Sequence, residues 1–293
     1  MILSVTLPLS ASARRSLRWV SPLRAFGWIL LFVVLSAGCA SRGLSLPQGS
    51  TAPFRDYQTS FNRATDPCQR VRTMQLAIGI NVRTGDTRLR GDLLGALARP
   101  ASLRLVGVAP FGAPSFILVS EPTAAVLVLP RDQRVVIGAT AGDLLETLAG
   151  VALDADDFRA VLTGCIVPNP RPIGAKVHEN GWIEVSIDAE NSAYIQMVDG
   201  VPVVIAGRRP DLTVWYSDHV RGLPRRIDLE ARDASGVTTV LTATLSQVSI
   251  NIELNPEVFV PQIRDEYLPM TLDQFRGAPG LLEAQRERRS KPQ

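Results

Sequence analysis

Between Thr73 and Arg83 the chain reads TMQLAIGINVR, in which Met74, Leu76, Ile78, Ile80 and Val82 alternate with Gln75, Ala77, Gly79, Asn81 and Arg83. A helix would scatter these side chains around its axis, whereas a strand sets every second one on the same face, so the period of two predicts a long β-strand. Gly85 and Asp86 then turn the chain. The following RLRGDLLGAL brings Leu89, Gly91, Leu93, Gly95 and Leu97 onto one face of a second strand, completing a long hairpin.

Further strand-like runs are expected at 103–108, 116–120, 125–129 and 134–137, with no helix-length segment between them, so neighbours should pair antiparallel. From 141 to 164 the period changes. Leu144, Leu145 and Leu148, then Phe158 and Leu162, recur at three- and four-residue spacing and predict two short helices, with Asp143 and the Asp154, Asp156, Asp157 group capping their starts. After the proline-rich 168–172, strands are expected at 182–187, 194–197, 203–206, 212–216, 226–232, 238–247 and 249–254. About eleven or twelve strands with a helical insertion make a mostly β chain, an unclosed antiparallel β-barrel or strongly curved sheet. Residues 39–53, rich in Ser, Gly, Pro and Arg, read as a tether, and a first helix is expected from Phe54 to about Arg72. The barrel domain then runs over 54–275, and 276–293 form a charged tail.

Ahead of the tether, an apolar block from Ala25 to Ala37 is too short for a comfortable membrane span, and Arg14, Arg15, Arg18 and Arg24 precede it without an acidic residue. That pattern is an export signal over residues 1–38. LSAGC at Leu35–Cys39 resembles the lipobox of bacterial lipoproteins, which implies cleavage before Cys39 and acylation of its sulfur. The alternative is an ordinary secretory signal with Cys39 incidental. The formal charge of +3 includes the four leader arginines, so without them it stands at −1, too little for a nucleic-acid footprint. The remaining cysteines, Cys68 and Cys165, form an even pair in an oxidising compartment; a disulfide is expected, with two buried thiols the alternative.

No HExxH, CxxC, GxSxG or GxxxxGK spacing occurs. His178 and His219 fall near expected turns and read as surface histidines, while the Asp154 group lacks the glycine and terminal glutamate of a calcium loop. Neither a cofactor nor an enzymatic activity is indicated. The informative feature is an excess of apolar faces. Met74, Leu76, Ile78, Ile80, Val82, Leu89, Leu93, Leu103, Leu105, Ile227 and Leu229 are expected to face inward and line a cavity, beneath a lid carrying Leu144, Leu145, Leu148, Phe158 and Leu162. Gly91, Gly95 and Gly107 would leave room for a guest or mark bends.

The stretch from Ala101 to Gly164 resembles the middle of the LolA/LolB lipoprotein-localisation family. A strand, a proline–X–glycine loop at Pro110, Phe111 and Gly112, two strands and a helix pair follow in that family's order. VWYSDHVRGLPRRIDLEA and LSQVSINIELNPEVFV are similar to its later strands. The resemblance implies an eleven-stranded unclosed barrel with a helical lid, whose hydrophobic cavity holds acyl chains. It also implies lipid anchoring at the periplasmic face of the outer membrane and a periplasmic carrier protein as partner, with Phe111 as a membrane-insertion loop residue; the alternative for Phe111 is a turn anchor folded back on the core. The competing expectation is a structural lipoprotein with a filled interior, docking into an envelope complex.

Overall fold

The computed structural model describes residues 44–278 apart from 110 and 112. Cys39, the export signal, most of the expected tail and the start of the tether lie outside the described residues. The compact unit begins at Leu46.

One fifteen-stranded sheet organises the described chain. Its strands are β1 (Thr51–Pro53), β2 (Thr73–Thr84), β3 (Thr87–Ala98), β4 (Ser102–Val108), β5 (Ile117–Glu121), β6 (Ala124–Leu129) and β7 (Arg134–Ala139), then β8 (Gly174–His178), β9 (Ile183–Ser186), β10 (Ser192–Val198) and β11 (Val201–Arg208). They are completed by β12 (Leu212–Ser217), β13 (Arg226–Arg232), β14 (Thr238–Ile250) and β15 (Leu268–Met270). Across the sheet the order is β1, β8 to β14, β2 to β7, and β15. The sheet is unclosed, because β1 and β15 each pair on one side only. The long seam between β14 and β2, from Thr239 opposite Thr84 to Ile250 opposite Met74, joins the two halves of the chain.

The helices are α1 (Tyr57–Gln69), α2 (Ala141–Ala149), α3 (Ala155–Thr163) and α4 (Leu272–Gly277). They cover the dry face of the sheet. Phe61, Ala64 and Cys68 of α1, Leu144 of α2 and Ala160 of α3 join Met74, Leu97, Leu103, Leu118, Leu127 and Ile195 in one core. That burial of alternating apolar faces is the main stabilising contribution, at roughly 25 cal/mol per Å².

Several expectations are corrected here. The strand count is fifteen rather than about eleven or twelve, and the strands not expected are β1, β8 and β15. Thr51–Pro53, read as tether, pairs with β8. Of the two strands expected at 238–247 and 249–254, the first continues through a register shift between Ser246 and Ser249, where Gln247 takes φ 51°, into a single β14 that ends at Ile250, and 251–254 lie outside any strand. The β7–β15 pairing is parallel. The first residues of the expected tail close α4, where Arg276 approaches Asp143 and Glu146 of α2 at 3.8 and 3.9 Å.

Candidate functional site

Local chemistry sets the two helices above the sheet. Thr140 accepts from the Asp143 N–H while the Asp143 carboxylate accepts from the Thr140 N–H, a reciprocal cap that starts α2. Those bonds hold the Asp143 carboxyl below the usual carboxylate range, the Thr140 side chain contributing most. Gly150 ends the helix at φ 70°, a conformation that disfavours a side chain. Asp154 caps α3 by accepting from the Asp157 N–H, and Asp157 in turn binds Arg209 through both oxygens at 2.7 and 3.1 Å. Cys165, just past α3, is bonded to Cys68 at the end of α1, with Sγ atoms 2.04 Å and Cα atoms 5.7 Å apart.

Beneath α2 and α3 lies an apolar cavity of about 140 Å³. Of the expected lining residues, Ile78, Ile80, Leu89, Leu93, Leu105, Ile227 and Leu229 form its sheet side, and Leu145, Leu148, Phe158 and Leu162 its roof. Met74, Leu76, Leu103 and Leu144 do not line it; they belong to the packed core. Val82 is buried but also outside the lining. Alternation tells which face a side chain takes, not how far along the strand the cavity extends. Val151 and Leu153 between the helices, Val161, Phe116, Leu241 and Ala243 complete the wall. Of these, Leu241 and Ala243 carry the same period-two signal along β14 that marked the others.

The glycines divide. A Cβ on Gly91 would meet nothing within 4 Å, so that position opens space in the wall. At Gly95 a Cβ would meet Leu76 at 2.9 Å, and at Gly107 it would meet the Phe116 ring at 2.7 Å, so these two admit neighbouring side chains rather than a guest. Arg90, Asp92 and Val108 in the lining are exposed and mark where the cavity opens. The size is comparable to apolar cavities of ~150 Å³ that stay dry and take up small hydrocarbons. It accommodates a short length of one hydrocarbon chain.

The loop between β4 and β5 borders this opening, since its Ser115 and Phe116 belong to the wall. Arg131 donates to the backbone oxygens of Phe111 at 2.8 Å and Ala113 at 3.1 Å, and the Phe111 side chain stands 89% exposed.

His178 is not a surface residue. On β8 its Nε2 lies 2.8 Å from Glu184 Oε2, both side chains are buried, and Lys176 Nζ approaches the same oxygen at 3.3 Å. Tyr194 stands beside them, its phenol pushed up to about 12 by burial and then by the Glu184 charge. The contact of His178 with Glu184 depends on the pairing of β8 with β9, which no single stretch of sequence contains. It shares no residue with the cavity wall. His219 is half-buried against the Val204 carbonyl at 3.0 Å, and burial holds its imidazole below the ordinary value. Among the described residues no group of three or more His, Cys, Asp or Glu could hold a metal ion, and no helix is long and apolar enough to cross a membrane.

No family model matches the sequence, and no curated protein does. Among solved structures, the chain is similar to the LolA superfamily protein NE2245 from Nitrosomonas europaea, at 14% identity over 71% of this chain and 99% of that one, with a TM-score of 0.48. It is also similar to a putative outer membrane lipoprotein-sorting protein domain from Vibrio parahaemolyticus, at 6% identity over 69% and 95% of the two chains and a TM-score of 0.43. A third is LprF from Mycobacterium bovis, at 12% identity over 70% and 99% and a TM-score of 0.31. Mostly β, with an unclosed sheet beneath a helix pair, the chain is similar in structure to LolA-superfamily and lipoprotein-sorting proteins.

Proposed function

We propose that this protein is a non-enzymatic lipoprotein of the cell envelope that takes an acyl chain into the cavity beneath α2 and α3 and helps receive or insert lipoproteins or lipids at the outer membrane. On this reading Cys39 carries the anchor at the periplasmic face, and a periplasmic carrier protein delivers the cargo. The observation that carries the proposal is the cavity itself, an apolar chamber walled by Ile78, Leu105, Phe158 and Leu162 that opens beside Arg90 and Asp92. Each methylene moved from water into such a chamber is worth ~0.8 kcal/mol, so even a short buried length favours an acyl chain over a polar ligand. The exposed Phe111 supports the membrane step, because an aromatic ring held out on a pinned loop at the opening suits the bilayer interface.

Titration with a fluorescent fatty acid, alongside mass spectrometry of co-purified lipid, tests the proposal. Uptake should be saturable, and Leu148→Trp, which fills the chamber from its roof, should abolish it while the protein stays folded. Equal uptake by the variant and the unchanged chain would overturn the assignment.

A further inference from the structure

The strand register decides which loops share a rim of the sheet. Thr51, at the start of β1, pairs with His178, at the end of β8. Direction then alternates through β9, β10, β11, β12 and β13, since each of these neighbours pairs antiparallel. The β10–β11 turn at Asp199 and Gly200 and the β12–β13 loop at 218–225 therefore lie on the rim where the chain enters the sheet at Thr51. The same alternation, continued through β14, β2, β3 and β4, puts the loop that carries Phe111 on the opposite rim.

The entry rim bears an apolar projection. Directly behind the turn Val198 pairs with Val201 and Met197 with Pro202, and Met197, Val198 and Val201 stand 51%, 45% and 51% exposed. Val220 of the neighbouring loop is 47% exposed. His219 beside it lies 3.0 Å from the Val204 carbonyl of β11, which holds loop and hairpin together. Single exposed apolar residues are ordinary, but four gathered on one rim mark a surface that another apolar body covers.

The loop also packs on the end of α1, where a Cβ on Gly222 would meet the Pro67 ring at 2.5 Å. Past that contact Gln69, Arg70, Arg72, Thr73 and Arg99 surround a polar hollow. Asp66 pairs with Arg70 at 2.7 Å, and Asp156, near Arg99, pairs with Arg159. Among the described residues Arg72 and Arg99 form no ion pair of their own. A phospholipid bilayer offers hydrocarbon to the projection and phosphate to these two guanidinium groups.

The length of chain ahead of Thr51 favours the same partner. Cys39 precedes Thr51 by twelve residues, and a flexible tether of that length spans roughly 20 Å. The twelve residues of β2 extend about 40 Å. An anchor on Cys39 thus holds the entry rim nearer the bilayer than the rim that carries Phe111.

We propose that the β10–β11 tip, with Val220 and the arginine hollow beside it, docks on the phospholipid bilayer in which Cys39 is anchored. The proposal rests on the anchor reading above. Docking turns Phe111 and the cavity mouth away from that bilayer, toward arriving cargo, so insertion through Phe111 follows release of the tip.

The test uses the full acylated chain reconstituted into vesicles of phosphatidylethanolamine and phosphatidylglycerol, without cargo. Val201→Trp and Phe111→Trp each report membrane contact through quenching by brominated acyl chains, read against the unchanged chain. Val201→Trp should be quenched and Phe111→Trp should not. Adding Met197→Asp to Val201→Trp should lower the ratio of docked to undocked protein about tenfold, as expected when one apolar side chain no longer leaves water. Val220→Asp should act in the same direction, and Arg72→Glu should weaken quenching more at low salt than at high salt. Thermal stability should stay unchanged throughout, because these side chains are exposed. Absence of quenching at Val201→Trp, equal quenching at Phe111→Trp, or a Val201→Trp signal that follows protein concentration rather than lipid would overturn the docking proposal and leave the anchor standing. Recovery of the chain apart from the vesicles would overturn the anchor reading and the docking proposal with it.

Discussion

Phe111 and Tyr194 illustrate opposite fates of an aromatic side chain. Phe111 stands in solvent, where a lone exposed phenylalanine contributes nothing to the core. Phe111→Glu should therefore change unfolding stability by less than ~0.5 kcal/mol, measured by denaturant titration, while lowering transfer of lipid to liposomes. A large loss of stability would instead assign the ring to packing. Tyr194 is 2% exposed beside Glu184, and its phenol ionises only at about 12, against 10 for the free group. The sign follows from linkage, because the folded state resists losing this proton. Its contribution is present in full below pH 10 and is lost as the pH rises from 10 toward 12. An alkaline melt should fall less steeply over that window for Tyr194→Phe, whereas identical slopes would show that the phenol is not held back. Proline–X–glycine spacing marked a turn at Phe111 and the family resemblance implied a projecting tip there, but only tertiary packing could enclose His178, Glu184 and Tyr194.

At the scale of elements, the lid is stapled more firmly on one side than the other. Its second helix, α3, is tied through Cys165 to Cys68 and through Asp157 to Arg209, whereas the ion pairs of α2 with Arg276 of α4 are exposed and long. The bridge closes a loop with a sequence separation of 97. Replacing both cysteines by alanine should cost ~2–4 kcal/mol of stability, read from the urea midpoint, through the greater freedom of the unfolded chain. Two freely alkylatable thiols in the unreduced, denatured protein would rule the bridge out. The long hairpin of β2 and β3 was legible because twelve-residue strands display many repeats of their period. The three-residue strands β1 and β15 were not, since so short a stretch carries no period.

For the whole molecule, the β14–β2 seam places Ala243 opposite Ile80, so residues about 160 positions apart share one wall of the cavity. A ladder so remote in sequence carries a loop-closure cost, and folding of such sheets is expected to be slow. The anchor reading is tested at this scale as well. Cys39→Ala should move the protein from the membrane fraction to a soluble or uncleaved form, and an unchanged distribution and mass would remove the lipid anchor from the proposal.

By itself, the sequence determined what depends on near neighbours. The face each side chain takes along β2, β3 and β13 follows from alternation, and the helix pair at Ala141–Thr163 follows from its spacing and its capping aspartates. The near-neutral charge balance beyond residue 38 could be read there too. Tertiary structure alone decided how deep the cavity runs, why Ile78 lines it while Met74 on the same face is packed solid, and where β4 stops short of β3. Those outcomes depend on which elements arrive above each position and on strand lengths matched across the sheet. A one-dimensional pattern specifies the direction of a side chain, whereas the filling of space is a property of all the chains that meet there.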